Sequence, residues 1–167
     1  MGLKLAIFYE SSLLSLASDV CSRIEHIFPR IQAALFNSLE IPRTAWDTFR
    51  GQYDIYFLLN SLERPQQADF VLWLVQGDIG DPWHAYLYGA AGNQKAIVST
   101  ARFDAIDMVA KEAYHEIGHL LGLSHCDGDC VMHTSRTVGQ VAGKSNQLCK
   151  ACQTFLEVSK YTLIGNE

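Results

Sequence analysis

The stretch "YHEIGHLLGLSHCDGDCVM", residues 114–132, contains three of the chain's six histidines and two of its five cysteines. His115 and His119 are four residues apart in a segment whose apolar periodicity predicts a helix, so both imidazoles leave nearly the same helix face. Gly122 can adopt a positive φ, which would end that helix and turn the chain back. His125 then lies on the returning chain, so this stretch predicts both the end of a long helix and the course of the loop after it.

These histidines have the spacing of a catalytic zinc site. The pattern H-E-x-x-H-x-x-G-x-x-H places Glu116 beside the ligands, and a catalytic zinc takes three protein ligands and keeps one position for water. Its chemistry is hydrolysis by a zinc-bound water with the glutamate as general base. The longer pattern is typical of metzincins, in which a later methionine forms a turn beneath the metal. We therefore predict His115, His119 and His125 as zinc ligands, Glu116 as catalytic base and Met132 as the turn methionine.

Four cysteines form a second group of candidate metal ligands. Cys126 and Cys130 make one close pair, and Cys149 and Cys152 make another. Two such pairs separated by a loop have the spacing of a structural zinc site, which four thiolates close. A redox role for Cys149 and Cys152 is the alternative, although no thioredoxin-like strand–helix–strand unit precedes them. Cys21, in the first predicted helix, is expected to be an ordinary buried cysteine.

One loop is predicted to serve both groups. His125 and Cys126 are neighbours, and successive side chains of an extended chain point to opposite sides. The structural zinc would then fix the loop that carries the third histidine and Met132. His133, which follows Met132, is expected to be a loop histidine rather than an additional donor in the active site.

The composition is that of a folded domain. The chain has 167 residues, of which 49% are hydrophobic and 19% charged, and this predicts one catalytic domain over residues 1–167. The net charge of −5, without a basic run, argues against nucleic-acid binding, and no apolar run is long enough to span a membrane. The start "MGLKLAIFYE" (1–10) is typical of a strand rather than a signal peptide, which predicts a cytoplasmic protein.

Apolar periodicity predicts an α/β or α+β domain built on one mixed sheet. The predicted strands cover 4–9, 32–38, 70–77, 84–91 and 95–100, and the predicted helices cover 12–28, 48–63, 103–122 and 146–159. The uninterrupted apolar run at 70–77 indicates a central strand covered on both faces. Residues 123–144 have no periodicity and are expected to form an ordered loop.

Two of these elements carry the site. In the helix over 103–122, Asp104 is the predicted N-cap and Asp107 favours the first turn. Its predicted core stripe is Ile106, Val109, Ala113, Ile117 and Leu120. The strand over 84–91 is the expected antiparallel edge strand, and an extended peptide could bind to it by strand addition. The residues predicted for that contact are Ala85, Tyr86, Leu87, Tyr88 and Gly89.

The chain resembles a known family, the archaemetzincins. The resemblance is carried by "HEIGHLLGLSHC" (115–126), "CVM" (130–132) and "CKAC" (149–152), and it extends to "RGQYDIYFLLNSL" (50–62), "YLYGAA" (86–91) and "IVST" (97–100). The loops between Cys126 and Cys130 and between Met132 and Cys149 are shorter than in the family pattern. The resemblance implies a compact metzincin-like fold, a three-histidine catalytic zinc, a four-cysteine structural zinc, and aminopeptidase or other peptidase chemistry.

Two functions follow from these patterns. The first is a zinc-dependent metallopeptidase, with two zinc ions per chain, that acts on a peptide or protein substrate as a monomer. The second is a zinc-stabilised peptide-binding module with little or no turnover. Metal content and peptide hydrolysis, measured on the same sample, separate the two hypotheses.

Overall fold

The computed structural model describes residues 2–159, and within that range it contains eight strands and five α-helices. The strands are Leu3–Tyr9 (β1), Ile31–Ser38 (β2), Trp46–Asp47 (β3), Gln52–Asp54 (β4), Phe70–Val75 (β5), Ile79–Gly80 (β6), Gly89–Gly92 (β7) and Lys95–Ser99 (β8). The α-helices are Leu14–Ile27 (α1), Ile55–Ser61 (α2), Ile106–Leu120 (α3), Val138–Gly143 (α4) and Lys150–Val158 (α5). Among these helices, none has the length and apolar character needed to cross a membrane.

The main sheet has five strands in the order β2-β1-β5-β8-β7. Four of them run parallel, and β7 pairs antiparallel with β8 at the edge. The predicted α/β fold with a mixed sheet and an antiparallel edge strand is therefore confirmed. The expectation of a single sheet was wrong, because β3, β4 and β6 form a second, three-stranded sheet.

Strand β5 lies at the centre of the main sheet and is buried on both faces, as predicted. Leu72 and Leu74 pack with α1 and α3, whereas Val71, Trp73 and Val75 belong to the cluster that includes α2. All five are at most 1% exposed, which explains why the sequence at β5 is continuously apolar rather than alternating. The layer of α1 and α3 on one face is what positions the candidate site.

Helix α3 begins later than the sequence predicts. Ala105, in an extended conformation, occupies the N-cap position without a side-chain hydrogen bond, so the prediction of Asp104 as cap was wrong. Asp107 does lie in the first turn, where it forms a 2.6 Å ion pair with Arg23 of α1. Ile106 is 39% exposed and lies outside the core. The predicted core stripe therefore begins with the next turn of the helix.

Local hydrogen bonds explain the other boundary differences. The predicted helix over 48–63 is restricted to α2, because Gly51 turns the chain with a φ of 67° and the Asp54 side chain then caps the helix at the Phe57 N–H. The loop expected over 123–144 contains α4, which a Thr137–Gln140 capping box begins. The last helix, predicted from residue 146, begins at Lys150.

The edge strand is displaced along the chain from the predicted segment 84–91. The Asp81 carboxylate accepts hydrogen bonds from the backbone N–H groups of Trp83 and His84, which curls the chain before it reaches the sheet. Between Ala85 and Tyr88, the strand-like pairing is an isolated bridge from Leu87 to Ile79. Of the predicted strand-addition residues, only Gly89 therefore lies in the regular edge strand.

The last turn of α3 lies directly on Met132. Gly118, between the two helical histidines, has no Cβ, and an added Cβ would overlap the Met132 Sδ. Met132 is fully buried, and the following loop reaches this position because Gly122 turns the chain with a φ of 88°. The absence of a side chain at Gly118 thus permits the close approach of the turn to the helix.

We predict that Gly118→Ala lowers the free energy of unfolding. A glycine-to-alanine exchange inside a helix normally stabilises it by about 1 kcal/mol, but overlap with a buried side chain costs about 1–3 kcal/mol. Urea unfolding measures the net change in the free energy of unfolding. Gly143→Ala in α4 is the matched control, since nothing lies within 4 Å of its added Cβ. A Gly118→Ala protein as stable as the control variant would contradict the described packing.

Candidate metal centres

The structure brings His115, His119 and His125 together. The first two lie one turn apart on α3, and His125 reaches them from the loop that Gly122 turns back. Their candidate ligand atoms all lie within 4.8 Å of one another, and the Nε2 atoms of His115 and His119 are 3.1 Å apart. Tetrahedral Zn–N bonds of about 2.0–2.1 Å place neighbouring nitrogens about 3.3 Å apart. The spacing of the two helical nitrogens therefore fits one shared ion.

Hydrogen bonds fix which nitrogen of each helical histidine faces the centre. His115 Nδ1 donates to Val131 O over 2.9 Å, and His119 Nδ1 donates to Leu123 O over 2.8 Å. In the neutral imidazole, the Nε2 atom then carries a lone pair. Two lone pairs 3.1 Å apart repel each other unless a cation lies between them. A backbone carbonyl on the distal nitrogen is also the usual partner of a metal-bound histidine.

The environment keeps these two histidines neutral. Burial lowers the pKa of His115 to about 3, and the nearby positive charge of Lys144 adds to the effect. Burial also lowers the pKa of His119. A metal ion binds the unprotonated imidazole, so both side chains are ready to bind a cation at neutral pH without first losing a proton.

The four clustered cysteines form a second centre. Cys126 Sγ lies 3.7 Å from Cys149 Sγ, and Cys130 Sγ lies 3.7 Å from Cys152 Sγ. A tetrahedral zinc with Zn–S bonds of about 2.3 Å places its sulfurs about 3.8 Å apart, whereas a disulfide needs about 2.05 Å. All four cysteines are free thiols in the structure. A hydrogen bond from the Cys152 backbone N–H lowers the pKa of the Cys149 thiol to about 7, which favours a thiolate ligand.

One turn connects the two centres. Met132 N–H donates to Cys130 Sγ over 3.5 Å, and Met132 O accepts from Cys126 N–H over 3.1 Å. The preceding residue, Val131, supplies the carbonyl that orients His115. His133 is held within the same loop, since its Nδ1 donates to Cys126 O over 3.0 Å. This contact fits the expected role of His133 as a loop histidine.

The predicted base lies between the helix and the edge strand. Glu116 is 4% exposed, and an ideal Cβ at Gly89 would lie 2.9 Å from both its Cγ and its Oε1. The first residue of β7 therefore passes directly over the glutamate side chain. Burial raises the pKa of Glu116 well above its usual value, and the neighbouring Glu112 carboxylate adds to the increase.

Two charged residues beside Glu116 were missed by the sequence analysis. Glu112 lies one turn earlier on α3, and Lys144 follows α4; both are buried, and their charged groups are 3.7 Å apart. The four-residue spacing of Glu112 and Glu116 was a signal, because it places both carboxyl groups on one face. Nothing in the sequence linked Lys144 to that face. Cys21 and His84, by contrast, lie outside both centres.

Sequence comparison identifies related proteins. Residues 97–158 match the family described as peptidase family M54. The archaemetzincin of Nanoarchaeum equitans is 35% identical over 115 residues, which cover 68% of this chain and 68% of that protein. The archaemetzincin of Methanocaldococcus jannaschii is 35% identical over 134 residues, with coverage of 71% and 74% respectively.

Solved structures agree with the sequence relatives. The crystal structure of the archaemetzincin from Methanopyrus kandleri superimposes with a TM-score of 0.85 and 27% identity, covering 96% of both chains. The archaemetzincin from Archaeoglobus fulgidus, solved in complex with malonate, gives a TM-score of 0.83 and 26% identity, covering 91% of this chain and 99% of the other.

The mixed sheet, the helix with its paired imidazoles and these relatives together define a zinc metallopeptidase, a hydrolase whose substrates are peptides or proteins. Four clustered cysteines, two of them in the loop after the helix that carries the paired imidazoles, accompany this site. The chain belongs to the archaemetzincins, peptidase family M54.

The contact between Gly89 and Glu116 predicts a loss of activity in Gly89→Ala. The new methyl group must displace the glutamate side chain or the edge strand, and a 1 Å misplacement in an active site can cost roughly 10²-fold in rate. Peptide hydrolysis should fall while zinc content stays at the wild-type value, because the histidines are not touched. Gly139→Ala, in α4, is the control: its added Cβ would make only an ordinary 3.9 Å contact with Thr137 Oγ1, so it should keep full activity. Equal rates in the two variants would rule out the steric explanation.

Proposed function

We propose that the chain is a zinc-dependent peptidase in which Glu116 is the general base and His115, His119 and His125 hold the catalytic ion. The observation that supports this most directly is the pair of Nε2 lone pairs that face each other across 3.1 Å. Their orientation is unfavourable without a cation and suitable with one. In this proposal residues 1–167 act as one catalytic domain.

The ion would supply Lewis-acid polarisation of the scissile carbonyl and would lower the pKa of a water molecule. Glu116 accepts the proton from that water and later returns it to the leaving amine. The carboxyl group is suited to both steps because it is adjacent to the imidazole cluster in sequence and shielded from bulk water. Met132, buried under Gly118, keeps the base of the site apolar.

Substrate would bind along the outer edge of β7. This strand is last in the order of the main sheet, so its outer edge is available for an extended peptide. Some backbone groups before β7 already have hydrogen-bond partners within the protein. Ala85 O accepts a 2.8 Å hydrogen bond from Gln52 Nε2, and Leu87 N–H donates to Ile79 O over 2.9 Å. We therefore propose that strand addition occurs at Gly89–Gly92 rather than at the segment before it.

Replacement of the base tests the mechanism. Glu116→Gln keeps the size of the side chain but cannot accept the proton, so the rate of peptide hydrolysis should fall by about 10²–10⁴-fold. Zinc bound per chain should remain unchanged, because Glu116 is not a proposed ligand. Peptides with free and acetylated N-termini are compared in the same assay, since an aminopeptidase cleaves only the free form. A Glu116→Gln enzyme as fast as wild type would refute the assigned base.

Metal analysis tests the proposal of two zinc ions. We expect two zinc ions per chain in the wild type, one in the His115→Ala/His119→Ala protein, and none at the cysteine centre in Cys149→Ser/Cys152→Ser. Plasma mass spectrometry on samples of known protein concentration measures the ratio. A wild type that retains one zinc after reloading would disprove the second site. Two zinc ions without hydrolysis of any peptide would instead support the binding-module hypothesis.

A further inference from the structure

A buried charged cluster lies beside Glu116. Glu112, Glu116 and Lys144 are 6%, 4% and 8% exposed. Lys144 Nζ is 3.7 Å from Glu112 Oε2. The carboxyl groups of Glu112 and Glu116 are close enough to share a hydrogen bond when one of them carries a proton. An apolar cluster of the same volume is often at least as stable as buried ionic groups. Three charged side chains inside the protein next to an active site therefore point to a functional arrangement.

Helix α3 and the segment that follows α4 place these three side chains together. Glu112 lies on the same face of α3 as Glu116, one turn earlier. Lys144 directly follows α4, which is held against α3 by Lys111, whose Nζ donates to Ala142 O over 2.6 Å. Two neighbouring residues of α3 therefore make different contacts. Lys111 binds the end of α4, and Glu112 pairs with Lys144, which follows α4.

Lys144 also connects the cluster to the turn beneath the helix. Its Nζ donates to His133 O over 3.4 Å, and His133 directly follows Met132. The ammonium group therefore contacts the carboxyl group of Glu112 and the backbone of the turn. On the other side of Glu116 lies Gly89 of the edge strand, where an added Cβ would be 2.9 Å from Glu116 Oε1.

We propose that Glu112 and Lys144 are positioning residues for Glu116. Lys144 holds one oxygen of Glu112, and the other Glu112 oxygen carries a proton and donates a hydrogen bond to the Glu116 carboxylate, so that the Glu116 side chain keeps one orientation between α3 and β7. Neither residue touches the substrate or the ion in this scheme. The inference rests on the proposed role of Glu116 as the base and extends it to the side chains that support it.

Kinetics of the zinc-loaded full-length protein test the scheme. In Glu112→Ala, kcat for a cleaved peptide should fall about 10–100-fold, with KM and zinc content near wild type, because substrate and metal contacts are kept. Glu112→Gln has the same length and can still hydrogen-bond Glu116, so it should recover part of the lost kcat. Lys144→Met should resemble Glu112→Ala. Arg23→Met is the matched control: it removes the ion pair between α1 and Asp107 at the start of α3, which involves neither Glu116 nor Lys144, and it should retain wild-type kcat.

Crystal structures of zinc-loaded wild type and Glu112→Ala provide a readout that is independent of turnover. We expect one Glu116 rotamer in the wild type and a displaced or multiple conformation in the variant. An unchanged Glu116 together with a kcat within about twofold of wild type would overturn the proposal, as would an equal loss of kcat in Arg23→Met. If Glu116→Gln proves fully active, the assignment of the base fails, whereas the comparison of rotamers still decides whether Glu112 positions that side chain.

Discussion

The hydrogen bond from His115 Nδ1 to Val131 O is the contact on which the architecture of both centres depends. It fixes the imidazole with its Nε2 toward the other histidines, and it anchors the turn that contains Met132 against α3. The same turn places the Cys130 thiol under the Met132 N–H. Loss of this contact would leave the helix intact but would separate the helical ligands from the loop ligands.

The turn and the helix approach each other closely because a glycine is present in each of the two segments. On the helix, Gly118 provides space for the Met132 side chain. On the loop, Gly122 adopts a φ of 88°, which costs other residues roughly 1–2 kcal/mol. In the proposed function, the four-cysteine centre would stabilise this loop, which has little regular secondary structure of its own. A long loop without helices or strands is otherwise a weak support for a ligand such as His125, which catalysis requires in a defined position.

The sequence was most informative where the spacing of residues along the chain determines the direction of their side chains. The ligand pattern predicted that His125 and Cys126 would separate into different clusters, and the structure has them in different clusters. The continuous apolar run predicted the central strand, because a strand covered on both faces, as β5 is, needs apolar side chains on both sides. The start of β7 was not predictable, because it depends on hydrogen bonds that the Asp81 carboxylate accepts from a segment whose sequence also predicts a strand. The pairing of Glu112 with Lys144 joins residues 32 positions apart through a short helix without clear periodicity, so the sequence alone did not reveal it.

The assignment of His125 and Cys126 to different clusters also limits how this protein can change in length. One residue inserted between Gly122 and Cys126 would exchange the directions of both side chains and disrupt both centres at once. Residues 127–129 are exposed, and Gly128 N–H donates a 3.5 Å hydrogen bond to Cys126 Sγ. A change in length that keeps the Gly128 contact, such as one residue added after Gly128, should therefore be tolerated better than a change among the four residues before Cys126.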